Sequence, residues 1–123
     1  MWRLSGFFLA LSLFAATPVL AQDADVVGNY RMTGLADGQP YEGQVSVERS
    51  GDTYLVNWNI GGSKHVGTGL LNGRIFSTIF VDPRGIAGIA VYQLRGGGEW
   101  DGTYTVLGAT TVGTEQWTPM GAP

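Results

Sequence analysis

The chain has 123 residues, no Cys, 20 Gly and a formal net charge of −3, a size for which one domain is the natural count. The absence of Cys excludes a disulfide framework, a thiolate metal site, a cysteine nucleophile and a lipidated cysteine anchor. An acidic balance gives no electrostatic footprint for phosphate backbones, so nucleic acid is not an expected partner.

The N-terminus reads as a leader. Arg3 supplies a short positive start, Leu4 to Leu20 is nearly all apolar, and Val19-Leu20-Ala21 precedes the polar, acidic Gln22-Asp23-Ala24-Asp25. This is the three-part layout of a secretory signal peptide, predicted over residues 1–21 with cleavage after Ala21. An uncleaved membrane anchor fits less well, because the apolar run is short for a hydrocarbon core about 30 Å thick and carries Pro18 near its end. Residues 22–123 then form a single periplasmic or secreted domain with no stable membrane anchor. All the glycines except Gly6 lie in that domain, where each would cost a helix interior about 1 kcal/mol, so a helical domain is not expected.

Short β-prone runs alternate with Gly, Asp and Asn at intervals of about 8 to 12 residues, the spacing of an all-β meander. Eight runs are predicted. The first, Val27 to Gly34, ends at Ala36-Asp37-Gly38. The second, Tyr41 to Arg49, sets Tyr41, Val45 and Val47 against Glu42, Gln44, Ser46 and Glu48, one apolar face and one wet face. After Ser50-Gly51-Asp52, the third run, Thr53 to Ile60, turns Tyr54, Val56, Trp58 and Ile60 inward and Asn57 and Asn59 outward. Gly61-Gly62 leads to the fourth, Lys64 to Leu70, with Val66, Thr68 and Leu70 on one side, and Asn72-Gly73 is a strong hairpin signal. The fifth, Arg74 to Val81, is apolar on both parities, so either both faces are covered or the outer one meets a partner. Ile86 to Leu94 follows Asp82-Pro83-Arg84-Gly85. The seventh run, Glu99 to Val106, shows Trp100, Tyr104 and Val106 on one face, and the eighth spans Thr110 to Trp117.

Eight strands with short turns, one apolar face each and internal glycines are what closing a small sheet requires. Closure also removes exposed edges. The expected fold is therefore all-β, an eight-stranded antiparallel up-and-down β-barrel, with a two-sheet sandwich as the alternative.

Gly28-Asn29-Tyr30, Tyr41-Glu42-Gly43, Gly51-Asp52-Thr53-Tyr54 through Gly61-Gly62, Gly67-Thr68-Gly69, Gly88 to Tyr92, and Gly113-Thr114-Glu115 to Trp117 resemble a family of small exported proteobacterial proteins. Most of its members are labelled uncharacterised and some fibronectin-binding. The resemblance runs from about Val27 to Trp117 and implies a fold more than an activity, since its motifs are turns and strand glycines. The architecture is also similar to avidin and lipocalin barrels, although lipocalins carry Trp where this chain has Tyr30. Ser50 to Tyr54 resembles a loop of periplasmic lysozyme inhibitors, which commonly carry cysteines.

No catalytic residue is assigned. His65 is the single imidazole, lies on the parity opposite Val66 and is expected to face solvent. No second His or Cys completes a metal site, and no Gly-x-Ser-x-Gly elbow occurs. Glu99 and Asp101 share the wet face of their strand, and Gly96-Gly97-Gly98 lacks the Lys and helix of a phosphate loop. No cofactor is implied. The inward rings Tyr54, Trp58, Trp100 and Tyr104 either fill the barrel or line a pocket for a small apolar ligand. Phe76 and Phe80, on the two-sided fifth strand, are the candidate contact for an extracytoplasmic protein. The functional readings are a non-enzymatic binding module, an inhibitor or adhesion protein acting through loops or surface, and, third, an enzyme.

Overall fold

The computed structural model describes residues 24–121; the leader predicted over residues 1–21 lies outside them. Eight strands follow in chain order: β1 Gly28–Ala36, β2 Gln39–Ser50, β3 Thr53–Ile60, β4 Ser63–Asn72, β5 Ile75–Val81, β6 Ala87–Leu94, β7 Trp100–Val106 and β8 Gly113–Pro119. Each pairs antiparallel with its sequence neighbour and β8 returns to β1, closing the barrel. The expected up-and-down barrel is the fold observed, and the sandwich is not. Turn chemistry sets the hairpins: Asp37-Gly38 and Gly61-Gly62 take positive φ at both residues, the twist that a two-residue loop needs to match its strands.

Because alternate residues face the axis, the core collects one parity from each strand. Val45, Val47, Val56, Tyr54, Trp58, Trp100 and Trp117 are buried, as are Tyr30, Met32, Phe76 and Tyr92. Val26, ahead of β1, is fully buried, its carbonyl accepting a 2.8 Å hydrogen bond from the Tyr30 hydroxyl. It closes one end of the barrel. There Trp117 meets Tyr30 at 5.2 Å between ring centroids, Phe76 at 6.3 Å and Tyr92 at 4.1 Å, tilted and edge-on contacts that add about 0.5–1.5 kcal/mol each beyond burial.

Two faces differ from expectation. On β4, Val66 and Leu70 point outward and His65 points inward, in line with Gly67 and Gly69. The reason is space: a Cβ at Gly69 would overlap the Phe76 ring, and one at Gly67 would overlap the Ile79 carbonyl oxygen. The barrel takes glycine where β5 supplies rings. On β5, correspondingly, Phe76 (0% exposed) and Phe80 (8%) are interior, so they are not a protein-contact surface. The outward parity is Ile75, Ile79 and Val81, which with Val66, Leu70, Ile89 and Val91 makes an apolar outer face over β4, β5 and β6.

Candidate functional site

The end of the barrel opposite Val26 is hollow. Four connections meet there, β1–β2, β3–β4, β5–β6 and β7–β8, since odd-to-even turns of an up-and-down barrel all lie at one end. A cavity of about 310 Å³ opens among them, at the small end of the 300–1,000 Å³ typical of ligand pockets. Tyr41, Trp58, His65, Phe80, Tyr92 and Tyr104 form its aromatic wall, and Glu115 lies among them.

The hollow has a local cause. Gly34 pairs across strands with Tyr41, Gly88 with Phe80, Gly102 with Tyr92 and Gly113 with Tyr104. At each of these glycines a Cβ would overlap the partner ring. The rings therefore lie down over bare backbone, the aromatic covering of glycine that stabilises curved sheets, and leave the axis open.

Glu115 is 7% exposed and faces inward on β8 between Gly113 and Trp117. Its Oε1 accepts hydrogen bonds from the Tyr92 hydroxyl at 2.8 Å and the Trp117 indole N–H at 3.1 Å, and its Oε2 accepts one from the Tyr41 hydroxyl at 2.7 Å. The Trp58 indole N–H donates to Tyr92 at 3.3 Å. With its single proton committed to Glu115, the Tyr41 oxygen is left to accept from Tyr104, 3.0 Å away. Three donors on one acid are the pattern of an acceptor-only carboxylate. Burial first, and the Glu115 charge second, push the phenols of Tyr41 and Tyr92 far above the ordinary tyrosine range. Burial also raises Tyr104, with Glu115 and Asp37 adding to it against the Tyr41 hydrogen bond. All three remain neutral hydroxyl donors at physiological pH.

The rim is held by Asp82. Its Oδ1 accepts the backbone N–H groups of Arg84 and Ile86 at 2.8 and 2.9 Å, and its Oδ2 accepts the Arg84 guanidinium at 2.6 Å. The Arg84 hydrogen bond, followed by that of Ile86, holds the Asp82 carboxyl below the usual carboxylate range. His65 packs 6.2 Å from Phe80, with its Nδ1 buried and without a hydrogen-bond partner. Among the described residues no group of three or more His, Asp or Glu side chains is placed to hold a metal ion.

Of the four rings predicted as a ligand site, Trp58 and Tyr104 line this cavity. Trp100 is fully buried beside Phe76 at 6.2 Å, and Tyr54 lies at the closed end under the Arg49 guanidinium, 5.2 Å from its ring centroid. Sequence reading did not select Tyr41, Tyr92 or Glu115, and it assigned His65 to solvent. The signal for Glu115 was its parity with Trp117. Glu99 lies outside the strands, and Asp101 pairs with Arg95 at 3.5 Å away from the cavity.

No protein-family model matches the chain, and no curated protein is similar to it in sequence. Among solved structures it is similar to a de novo designed fluorescence-activating β-barrel, with a TM-score of 0.59 and 9% identity, over 76% of this chain and 93% of that one. It is also similar to a structure described as the REP1-NXSQ fatty acid transporter, with a TM-score of 0.53 and 8% identity over 80% and 98% of the two chains. At such identities the likeness concerns the fold: this chain is a small closed antiparallel barrel.

Proposed function

We propose that this protein is an exported, non-enzymatic binding barrel that holds one small, largely apolar ligand in the cavity at its open end, in the periplasm or outside the cell. The observation that carries the reading is the hollow beneath the rim, walled by Tyr41, Trp58, Phe80, Tyr92 and Tyr104 in a barrel otherwise packed with side chains. A pocket with apolar walls and a few convergent polar groups is the usual form of a small-ligand site. The two similar barrels, one named as fluorescence-activating and one as a fatty acid transporter, support the use of this architecture to hold small molecules. Export is supported by the leader pattern, and a cut after Ala21 retains Ala24 and Val26, which pack on the closed end. The proposal agrees with the resemblance to small exported proteobacterial proteins.

Titration of the protein with an apolar dye, followed by its intrinsic tryptophan emission, tests the reading. Saturable binding that is lost when Val106, a partly buried cavity residue, is replaced by Trp is the expected result. Binding unaffected by Val106→Trp, or no binding at all, refutes it.

A further inference from the structure

We infer that the ligand is a small organic cation, a primary ammonium carried on an aromatic or aliphatic body, seated against Glu115. The inference rests on the cavity being a ligand site and adds what that site selects.

Charge is the first ground. Glu115 is buried with no cationic side chain against it: the ion pairs among the described residues are Arg84 with Asp82 and Arg95 with Asp101. The cavity is lined by two carboxylates, Glu115 and Asp82, by one guanidinium, Arg84, already joined to Asp82 at 2.6 Å, and by the imidazole of His65. With the imidazole counted as neutral, one negative charge is left over, and it lies at Glu115. Three hydrogen bonds orient that carboxylate without neutralising it. A buried charge gains most from a partner of opposite sign, because little water screens the pair.

The lone pairs are the second ground. A carboxylate has about four acceptor positions. Tyr92 and Trp117 occupy those of Oε1, while Oε2 receives Tyr41 alone, so one position remains for an N–H group of a ligand.

The walls are the third. Phe80 and Tyr104 lie over Gly88 and Gly113, which turns ring faces toward the lumen, and Tyr92, Trp58 and Tyr41 complete the enclosure. Aromatic faces around a cavity attract cations through the ring quadrupole, and a neutral apolar ligand would have no use for the buried carboxylate. The chain's net charge of −3 also favours the approach of cations.

Phenethylammonium and phenethyl alcohol, which match in shape and can both donate hydrogen bonds, separate charge from fit. Calorimetric titration of the wild-type protein is expected to give the ammonium at least about a tenfold tighter dissociation constant. Glu115→Gln is expected to abolish that preference. If both probes bind and the alcohol is equal or tighter, the cation inference is overturned and the cavity reading stands. If neither binds, and the apolar dye does not either, both fail. Should Glu115→Gln lose its near-ultraviolet dichroism, the wild-type ratio decides alone, supported by a preference that shrinks as salt rises and overturned by a ratio of one at low salt.

Discussion

The glycine–aromatic pairs give the sharpest test of how the wall is built, through the contrast between Gly102→Ala and Gly113→Ala. Neither glycine has a positive φ, so alanine suits the backbone at both, and its smaller unfolded-state entropy contributes about 0.4–1 kcal/mol of stability. What differs is the obstacle. At position 102 the new methyl overlaps the near edge of the Tyr92 ring and comes within 2.8 Å of the Val91 carbonyl oxygen. Tyr92 is 1% exposed and packs 4.1 Å from Trp117, so its ring has nowhere to go. Overpacking of this kind costs about 1–3 kcal/mol. Displacing the ring also breaks the 2.8 Å hydrogen bond to Glu115, a bond to a charged group worth about 1.5–3 kcal/mol. The net expectation is a loss of about 2–5 kcal/mol.

At position 113 the three atoms nearest the methyl all belong to the far end of Tyr104, its Cζ, Cε1 and hydroxyl. That ring is half-buried at the mouth and can swing into water, losing the one neutral hydrogen bond its hydroxyl proton makes, to Tyr41 or Leu35, worth about 0.5–1.5 kcal/mol. Gly113→Ala is therefore expected within about 1 kcal/mol of wild type. Urea unfolding followed by tryptophan emission measures both, with Gly102→Ala shifting the midpoint by roughly 1–3 M and Gly113→Ala much less. Equal effects of the two substitutions, or a Gly102→Ala midpoint unchanged from wild type, would refute the idea that rings lying on glycine shape the wall.

The corrected facing of β5 predicts that Ile79→Lys, at a position 54% exposed, changes stability by no more than about 0.5 kcal/mol, whereas Phe76→Ala costs about 3–5 kcal/mol; the same urea assay reads both, and the reverse order would restore Phe76 to the surface. Tyr41, Tyr92 and Tyr104 have folded-state phenol pKa values raised above the ordinary 10.0, so their contribution is complete below pH 10.0 and declines above it, as the unfolded chain alone ionises. Each pH unit beyond that point removes up to about 1.4 kcal/mol per buried phenol, and alkaline titration should show tyrosinate absorbance from these three appearing together with unfolding; smooth ionisation of all five tyrosines without unfolding would contradict it. The Asp82 carboxyl is held low by Arg84 and Ile86, so the rim it ties is intact above pH 3.8 and loosens as pH falls through the lowered value. Asp82→Ala should accelerate amide exchange at Arg84 and Ile86 while leaving the closed end at Tyr30 and Trp117 unchanged, and equal protection at the rim would count against this role.

The strands were legible because alternation survives wherever both faces carry informative side chains. Thr53 to Ile60 is the clearest case: Tyr54, Val56 and Trp58 are buried as their parity implies. The reading failed on β4 because the inward residues there are Gly67 and Gly69, which carry no hydropathy, so Val66 and Leu70 looked like the core. It failed on β5 because both parities are apolar and only closure decides which one meets the axis. Glu115 could be placed inside from Trp117 two residues later. Its three donors come from β2, β6 and β8, and no local pattern reports on three strands at once.

The division of the barrel into a packed end and a hollow end follows from what faces each ring across the ladder. Trp100 is paired directly with Trp117. Neither can lie down over the other, so both stand into the lumen, are fully buried, and fill it. Toward the mouth, Tyr41, Phe80, Tyr92 and Tyr104 each face a glycine, and each ring covers that glycine instead of the axis. The same kind of side chain thus packs one end and opens the other, but register with a glycine does not decide it alone: at the closed end Tyr54 also faces a glycine, Gly69, and the space over that glycine is taken by the Phe76 ring. A count of aromatic residues therefore cannot distinguish a filled barrel from a hollow one. Tyr92 belongs to both ends, stacked on Trp117 and bonded to Glu115, and so ties the stability of the core to the geometry of the cavity.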